Sequence, residues 1–243
     1  MEHHEGSALV EGSPFVLVYM SWAVIIALTL IAYLGTRKLK KVPGPLQNLL
    51  EMAVSSLYNF VEGVIGPEGR KYAPFLATLF FYISIMNIMG LIPFLRAPTS
   101  GLNMTIALAL TAFGYVQLQA IRANGFWGYI KHFMGEPLWL APLMFPIHVI
   151  GELAKPLSLS LRLFGNVFGE EKIIVILAGL SPFIIQPWLK VVPIHFPMVV
   201  FAVFTSVIQA LIFTILTAGY ITVLISHEQE EEVREAPVSA GPQ

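Results

Sequence analysis

The sequence predicts an all-α integral membrane protein, with about five membrane-embedded helices and one amphipathic surface helix, the last two long helices tilted. Three observations carry that prediction. Of 243 residues, 56% are hydrophobic and 12% charged, where a soluble domain carries roughly 25% charged residues. The mean hydropathy is +0.74. Several uncharged apolar runs are long enough to cross about 30 Å of hydrocarbon as helices, and basic residues gather at alternate ends of those runs.

The chain reads as a single membrane domain over 1–243. The first span is Pro14–Thr36, followed at once by Arg37, Lys38, Lys40 and Lys41. Basic residues flanking a span favour the cytoplasm, which sets the N-terminus outside. The preceding MEHHEGSALVEGS is acidic and lacks the basic start of a secretion signal, so the first span reads as a retained anchor.

VPGP (42–45) breaks the chain. Over 46–65, Leu46, Leu49, Leu50, Ala53, Leu57, Phe60, Val61 and Val64 recur at helical spacing, with Gln47, Glu51, Ser55, Asn59 and Glu62 between them. This predicts an amphipathic helix on the membrane surface or against a partner. A weakly hydrophobic spanning helix is the alternative, and it would have to bury Glu51 and Glu62.

Two further spans form a hairpin, 72–95 and 102–121, joined outside by a turn rich in Pro93, Pro98 and Gly101. Asn87 and Asn103 near that turn either line a wet cavity or simply bond between helices. Arg122 and Lys131 mark the cytoplasm again, and 126–137 reads as a short connector.

An apolar pattern then runs over 138–180, too long for one perpendicular span and containing Pro142, Pro146 and Pro156. A steeply tilted or broken helix is expected. After an external turn near 181–197, Met198–Ile225 is the last long apolar helix. Residues 226–243 form a polar tail, acidic and expected to be disordered.

Charge and composition exclude several classes of function. A formal net charge of −1 gives no support to a nucleic-acid partner. The absence of cysteine removes disulfides, thiol nucleophiles and thiolate metal sites. His3, His4, His132, His148, His195 and His227 are scattered, with no metalloprotease spacing. No metal or cofactor is expected.

The informative stretch is 152–171, ELAKPLSLSLRLFGNVFGEE, where Arg162, Lys155 and three glutamates interrupt apolar sequence. A charge at mid-bilayer costs about 2.5–3.5 kcal/mol on insertion scales, so an intramembrane Arg marks a functional site by default. Arg also holds its proton under all ordinary conditions. On a helix Ser158, Arg162, Asn166 and Glu170 follow one another at i, i+4 and make one polar ridge. Gly165 and Gly169 form a small-residue row beside it. Glu171, nine residues from Arg162, falls about 180° away round the axis. On the last helix Ser206, Gln209, Thr217 and Tyr220 make a thinner polar row, and Gln209 can bond an Arg without neutralising it.

Blander readings stand beside these. Glu152 with Lys155 reads equally as an ion pair near the membrane interface, and Glu170, Glu171 and Lys172 as a helix end among headgroups. Arg162 would then be a buried cation held in a packing ion pair, yet no acid sits one turn from it.

The residues resemble one family. MNIMGLIP (86–93), PTSGLNMTIALAL (98–110), AKPLSLSLRLFGN (154–166) and IQALIFTILTAGYI (208–221) are similar, in that order along the chain, to stretches of subunit a of bacterial F-type ATP synthases. The resemblance covers nearly the whole chain. It implies a non-catalytic stator subunit that faces a ring of c subunits, contacts the peripheral-stalk b subunits, and sits in the bacterial plasma membrane with the rest of the complex. It maps the essential Arg to Arg162, its neighbouring Gln to Gln209, the half-channel Glu to Glu171 and the following Asn to Asn166. Two positions depart from some relatives: Ala202 stands where they carry a His, and Gly90 where they carry an Asp. With Ala202 apolar, Glu170 is expected to supply the missing polar group. Protons would enter and leave through two aqueous half-channels, with Arg162 between them.

Two other classes of function make different demands. A secondary transporter with an Arg162/Glu171 ion site predicts inverted repeats and paired broken helices, and the sequence shows neither. An intramembrane enzyme would need a nucleophile–base pair or a metal cluster.

Overall fold

A computed structural model describes residues 14–37, 44–92, 95–134, 141–184 and 196–235. The acidic N-terminal stretch, the lysines after Arg37, most of the external turn after the tilted helix and the last eight residues of the tail lie outside them. Among the described residues six α-helices follow in order: α1 (Pro14–Thr36), α2 (Pro45–Ile65), α3 (Ala73–Met89), α4 (Leu102–Met134), α5 (Ala141–Ile184) and α6 (Phe196–Glu235). Short 3₁₀ turns at Pro67–Lys71 and Pro98–Ser100 join α2 to α3 and α3 to α4. No strand occurs among the described residues, so the expected all-helical class holds.

Three helical segments are apolar and long enough to cross a membrane: Phe15–Thr36, Leu102–Ala123 and Pro197–Val223. Helix α3 is equally apolar but has 17 residues, a rise of about 26 Å. Pro at the first turns of α2 and α3 costs nothing, because those N–H groups have no partner inside a helix.

Helix α5 is continuous over 44 residues, about 66 Å, roughly twice the hydrocarbon thickness. The helix is not broken, as one of the two expectations had it: the prolines do not interrupt it. Pro142 lies in the first turn, and Pro146 and Pro156 each remove a single backbone bond from a helix with many others.

Two expectations are corrected. The connector expected over 126–137 is helical as far as Met134, with 135–137 outside the described residues: α4 resumes after a sharp break at Gly125. With φ 69° and ψ 166° that residue lies where only glycine is comfortable. Helix α6 likewise continues to Glu235, so the acidic part of the tail is helical. Glu and Gln are good helix formers, and Glu230 sits one turn before Arg234. Low hydrophobicity removes a reason to pack, but it does not remove helix propensity.

Two apolar clusters stack along the bundle. One lies toward the basic helix ends, where Val61 of α2 meets Tyr72, Leu76, Val116, Ala218 and Ile221. The amphipathic α2 thus lays part of its apolar face on the chain's own helices, while Leu49, Met52 and Val54 stay exposed. The second cluster joins α1, α3, α4, α5 and α6 through Val24, Ile83, Met86, Ala109, Leu163 and Phe213. Much of the outer surface is apolar in its turn: α1 exposes Phe15, Tyr19, Trp22, Ile26 and Leu30. A protein whose solvent is lipid has this pattern.

Candidate functional site

Helix α5 turns two neighbouring ridges in opposite ways. Leu159, Leu163 and Val167 are buried against the bundle. Ser158, Arg162 and Asn166, the polar ridge, are exposed. Arg162 is therefore not buried within its own chain, as the sequence had implied. It stands on the outer surface among exposed Leu153, Leu157, Leu161 and Phe168. Among the described residues no carboxylate lies at ion-pair distance from it. The low-dielectric medium around this cation has to come from outside the chain.

One turn along, Asn166 Nδ2 donates to Gln209 Oε1 at 2.6 Å. Gln209 is only 3% exposed, so the bond fixes α5 against α6 just beside Arg162. The sequence offered Gln209 as a partner for Arg; the structure gives its carbonyl to Asn166 instead. Gly165 and Gly169 complete this face. A Cβ at either would meet no atom of this chain within 4 Å.

Glu170 and Glu171 point to different neighbours. Glu170 is partly buried and meets the Thr205 hydroxyl on α6. Thr205 lies one turn from the fully buried Ala202. Glu171, on the opposite side of α5 from Arg162, meets the Ala97 backbone and the Ser100 hydroxyl, with the Arg96 guanidinium close by. The turn between α3 and α4 thus forms the floor beneath its carboxylate.

That turn is a polar hub. Thr99 is fully buried, and its hydroxyl donates to Asn87 Oδ1 at 2.7 Å. Asn87 Nδ2 donates in turn to the Ser206 carbonyl at 3.4 Å. Of the two readings of Asn87, the interhelical bond is the one present; Asn103 is exposed and joins neither group. Gly90 is held here by contact, since a Cβ on it would lie 2.6 Å from Ala97 Cβ. The turn can approach α3 only because residue 90 has no side chain.

The polar row on α6 faces inward. Ser206, Thr214 and Thr217 are buried with Gln209. Thr214 and Thr217 return their hydroxyls to the carbonyls of Ala210 and Phe213, at 2.8 and 2.9 Å. Such back-bonding satisfies a hydroxyl in an apolar helix. Tyr220 lies near the basic end, within electrostatic reach of both Arg162 and Glu152.

Sequence reasoning missed Arg96, Ala97, Thr99, Ser100 and Thr205. Nothing in their spacing sets them apart from ordinary turn or helix residues; only the folding of the turn onto α5 and α6 does so.

The family model described as ATP synthase A chain matches residues 17–222. An ATP synthase subunit a from Protochlamydia amoebophila is 43% identical, the match covering 86% of this chain and 81% of the relative. An ATP synthase subunit a from Moorella thermoacetica is also 43% identical, over 84% of this chain and 88% of that protein. One from Geobacter sulfurreducens is 41% identical, over 83% of each. With a family match that runs from α1 into α6 and relatives this similar along most of their length, the chain belongs to the ATP synthase A chain family.

Proposed function

We propose that this chain couples proton flow to rotation as the stator subunit of a rotary ATP synthase, with Arg162 as the fixed charge that c-ring carboxylates pass. The observation that carries the reading is the position of Arg162: exposed, apart from the chain's own acids, and set in an apolar face. A ring carboxylic acid facing lipid stays neutral, because an isolated charge there is costly. Opposite Arg162 the cation favours the carboxylate, and the proton leaves. Arg162 cannot relay that proton and therefore separates the two access paths.

Glu171, over the turn at Arg96–Ser100, serves the path on the outer side. Glu170, against Thr205, supplies the polar group that Ala202 lacks. Asn166 and Gln209 hold the two helices in register at the cation, and Ser158 continues the ridge toward the basic side. The open row of Gly165 and Gly169 is the place for a ring helix to approach closely. The long exposed face of α1 suits lipid and the peripheral-stalk b subunits. Basic residues at Arg37, Arg70, Lys71 and Arg122 set one end of the bundle in the cytoplasm of a bacterial plasma membrane. The transmembrane potential contributes about 2.3 kcal/mol per charge per 100 mV.

The test is ATP-driven proton pumping by inverted vesicles that carry the whole complex with Arg162→Ala. Abolished pumping at normal assembly is expected. Pumping near the unsubstituted rate would remove Arg162 from the mechanism.

A further inference from the structure

Sequence spacing alone leaves Glu152 and Lys155 as an interfacial ion pair. The structure builds them into a chain of bonds across three helices. Tyr129 Oη donates to Gln117 Oε1 at 2.7 Å, and Gln117 Nε2 donates to Glu152 Oε2 at 2.9 Å. The other carboxylate oxygen, Oε1, accepts from Lys155 Nζ. Lys155 Nζ also lies 5.0 Å from the centre of the Tyr220 ring. Both charged side chains are mostly covered, with Lys155 24% and Glu152 14% exposed. A salt bridge at an interface has no need of so many supports.

The location gives the supports a purpose. Lys155 and Tyr220 line a small cleft of about 10 Å³, room for a single water, between α4, α5 and α6, whose other walls include Ala109, Val116, Leu159 and Thr217. Tyr220 lies within electrostatic range of Arg162, and Lys155 stands two turns before Arg162 on the same helix. A second cation so close to the fixed one would repel protons approaching from the basic side. Glu152 prevents that only while it is held against Lys155. The carboxylate's other oxygen is braced by Gln117, whose amide is oriented by the Tyr129 hydroxyl. Tyr129 reaches Gln117, twelve residues earlier in the same helix, because the chain turns at Gly125 in a conformation reserved for glycine.

We infer that Tyr129 is a positioning residue for proton passage on the basic side, acting through Gln117 to keep Glu152 on Lys155 and so to mask the Lys155 charge beside the path to Arg162. The inference rests on the function proposed above. It assigns no bond-making to Tyr129; the residue orients an amide, the amide orients a carboxylate, and the carboxylate neutralises an ammonium.

The experiment is a double-mutant cycle on ATP-driven pumping, measured in inverted vesicles containing equal amounts of assembled complex. Tyr129→Phe keeps the ring and removes the hydroxyl. Alone it should lower pumping at least about threefold, within the range of coupling expected between groups of one network. Glu152→Gln alone, which leaves Lys155 unmasked, should lower it further. The pair Glu152→Gln with Lys155→Gln removes both charges and should recover much of the loss. In that neutral background Tyr129→Phe should change pumping less than about twofold, because no charge remains to be masked. A merely structural tyrosine would cost the same factor in both backgrounds, and that result, or normal pumping by Tyr129→Phe, overturns the inference. Arg162→Ala is measured in parallel. If it abolishes pumping while Tyr129→Phe does not affect it, only the present inference fails; if it pumps normally, both readings fall.

Discussion

Asn166 Nδ2 lies 2.6 Å from Gln209 Oε1, and this bond joins the two long helices one turn beyond Arg162. Gln209 is buried and Asn166 is exposed, so the pair is half inside the bundle and half on the face that carries the cation. Gln209→Leu keeps the bulk and leaves Asn166 without its acceptor. Loss of one hydrogen bond of this kind costs about 0.5–1.5 kcal/mol. The expected result is a complex that assembles but pumps several-fold more slowly, checked by pumping per assembled complex. Normal pumping would reduce the bond to packing.

Arg162 provides the sharpest separation of effects. Arg162→Ala should abolish pumping and synthesis while passive proton conductance of the complex persists or rises, since the barrier between the access paths has gone. Arg162→Lys should fail to couple as well. Its ammonium lacks the planar fork and loses its proton more readily in apolar surroundings. Passive leak and pumping measured on the same vesicles distinguish lost coupling from lost assembly.

Glu171 and Glu170 should respond differently to the same change. Glu171→Gln retains volume and removes titration in a carboxylate seated over Ala97 and Ser100, so proton flux should fall roughly tenfold or more, as for loss of a proton-transfer group. Glu170→Gln keeps a polar group opposite Thr205 and should be milder. Thr205→Val, with the hydroxyl gone, should reproduce the Glu170→Gln defect. A Glu170→Gln defect as deep as that of Glu171→Gln would show that Glu170 titrates in the path.

Gly90 is a steric prediction. A side chain there meets Ala97 Cβ at 2.6 Å and Ala97 N at 3.0 Å, and Ala97 is part of the floor beneath Glu171. Gly90→Ala should therefore push the turn away, at a cost of about 1–3 kcal/mol for overpacking. Thermal stability of the detergent-solubilised complex and pumping should fall together.

Gly165 makes the opposite case. A Cβ there touches nothing in this chain, so Gly165→Leu should leave membrane insertion and subunit amount unchanged. It should block close approach of a ring helix and deplete the c subunits recovered with this chain. Recovery of a full complement of c subunits would show that the small-residue row faces lipid.

Much of this molecule is determined by local sequence. The all-helical class follows from uncharged runs whose backbone groups must be satisfied internally in lipid. Helix α1 needs nothing more, and the i, i+4 ridge of Ser158, Arg162 and Asn166 follows from helix geometry alone. So does the opposition of Glu171 to Arg162, since nine residues make two and a half turns. The tertiary structure decided what no periodicity contains. Which face of α5 turns outward depends on Leu159, Leu163 and Val167 finding Phe213 and its neighbours across the bundle, and that choice left Arg162 on the surface. The floor under Glu171 arises from the close approach of the turn to Gly90, a contact between segments whose spacing carries no signal. Tyr129 joins Gln117 because one glycine turns the chain, and Gln209 serves Asn166 because two helices meet at that level. Sequence supplies each helix with its faces; the burial of one face against another selects which polar groups remain for chemistry.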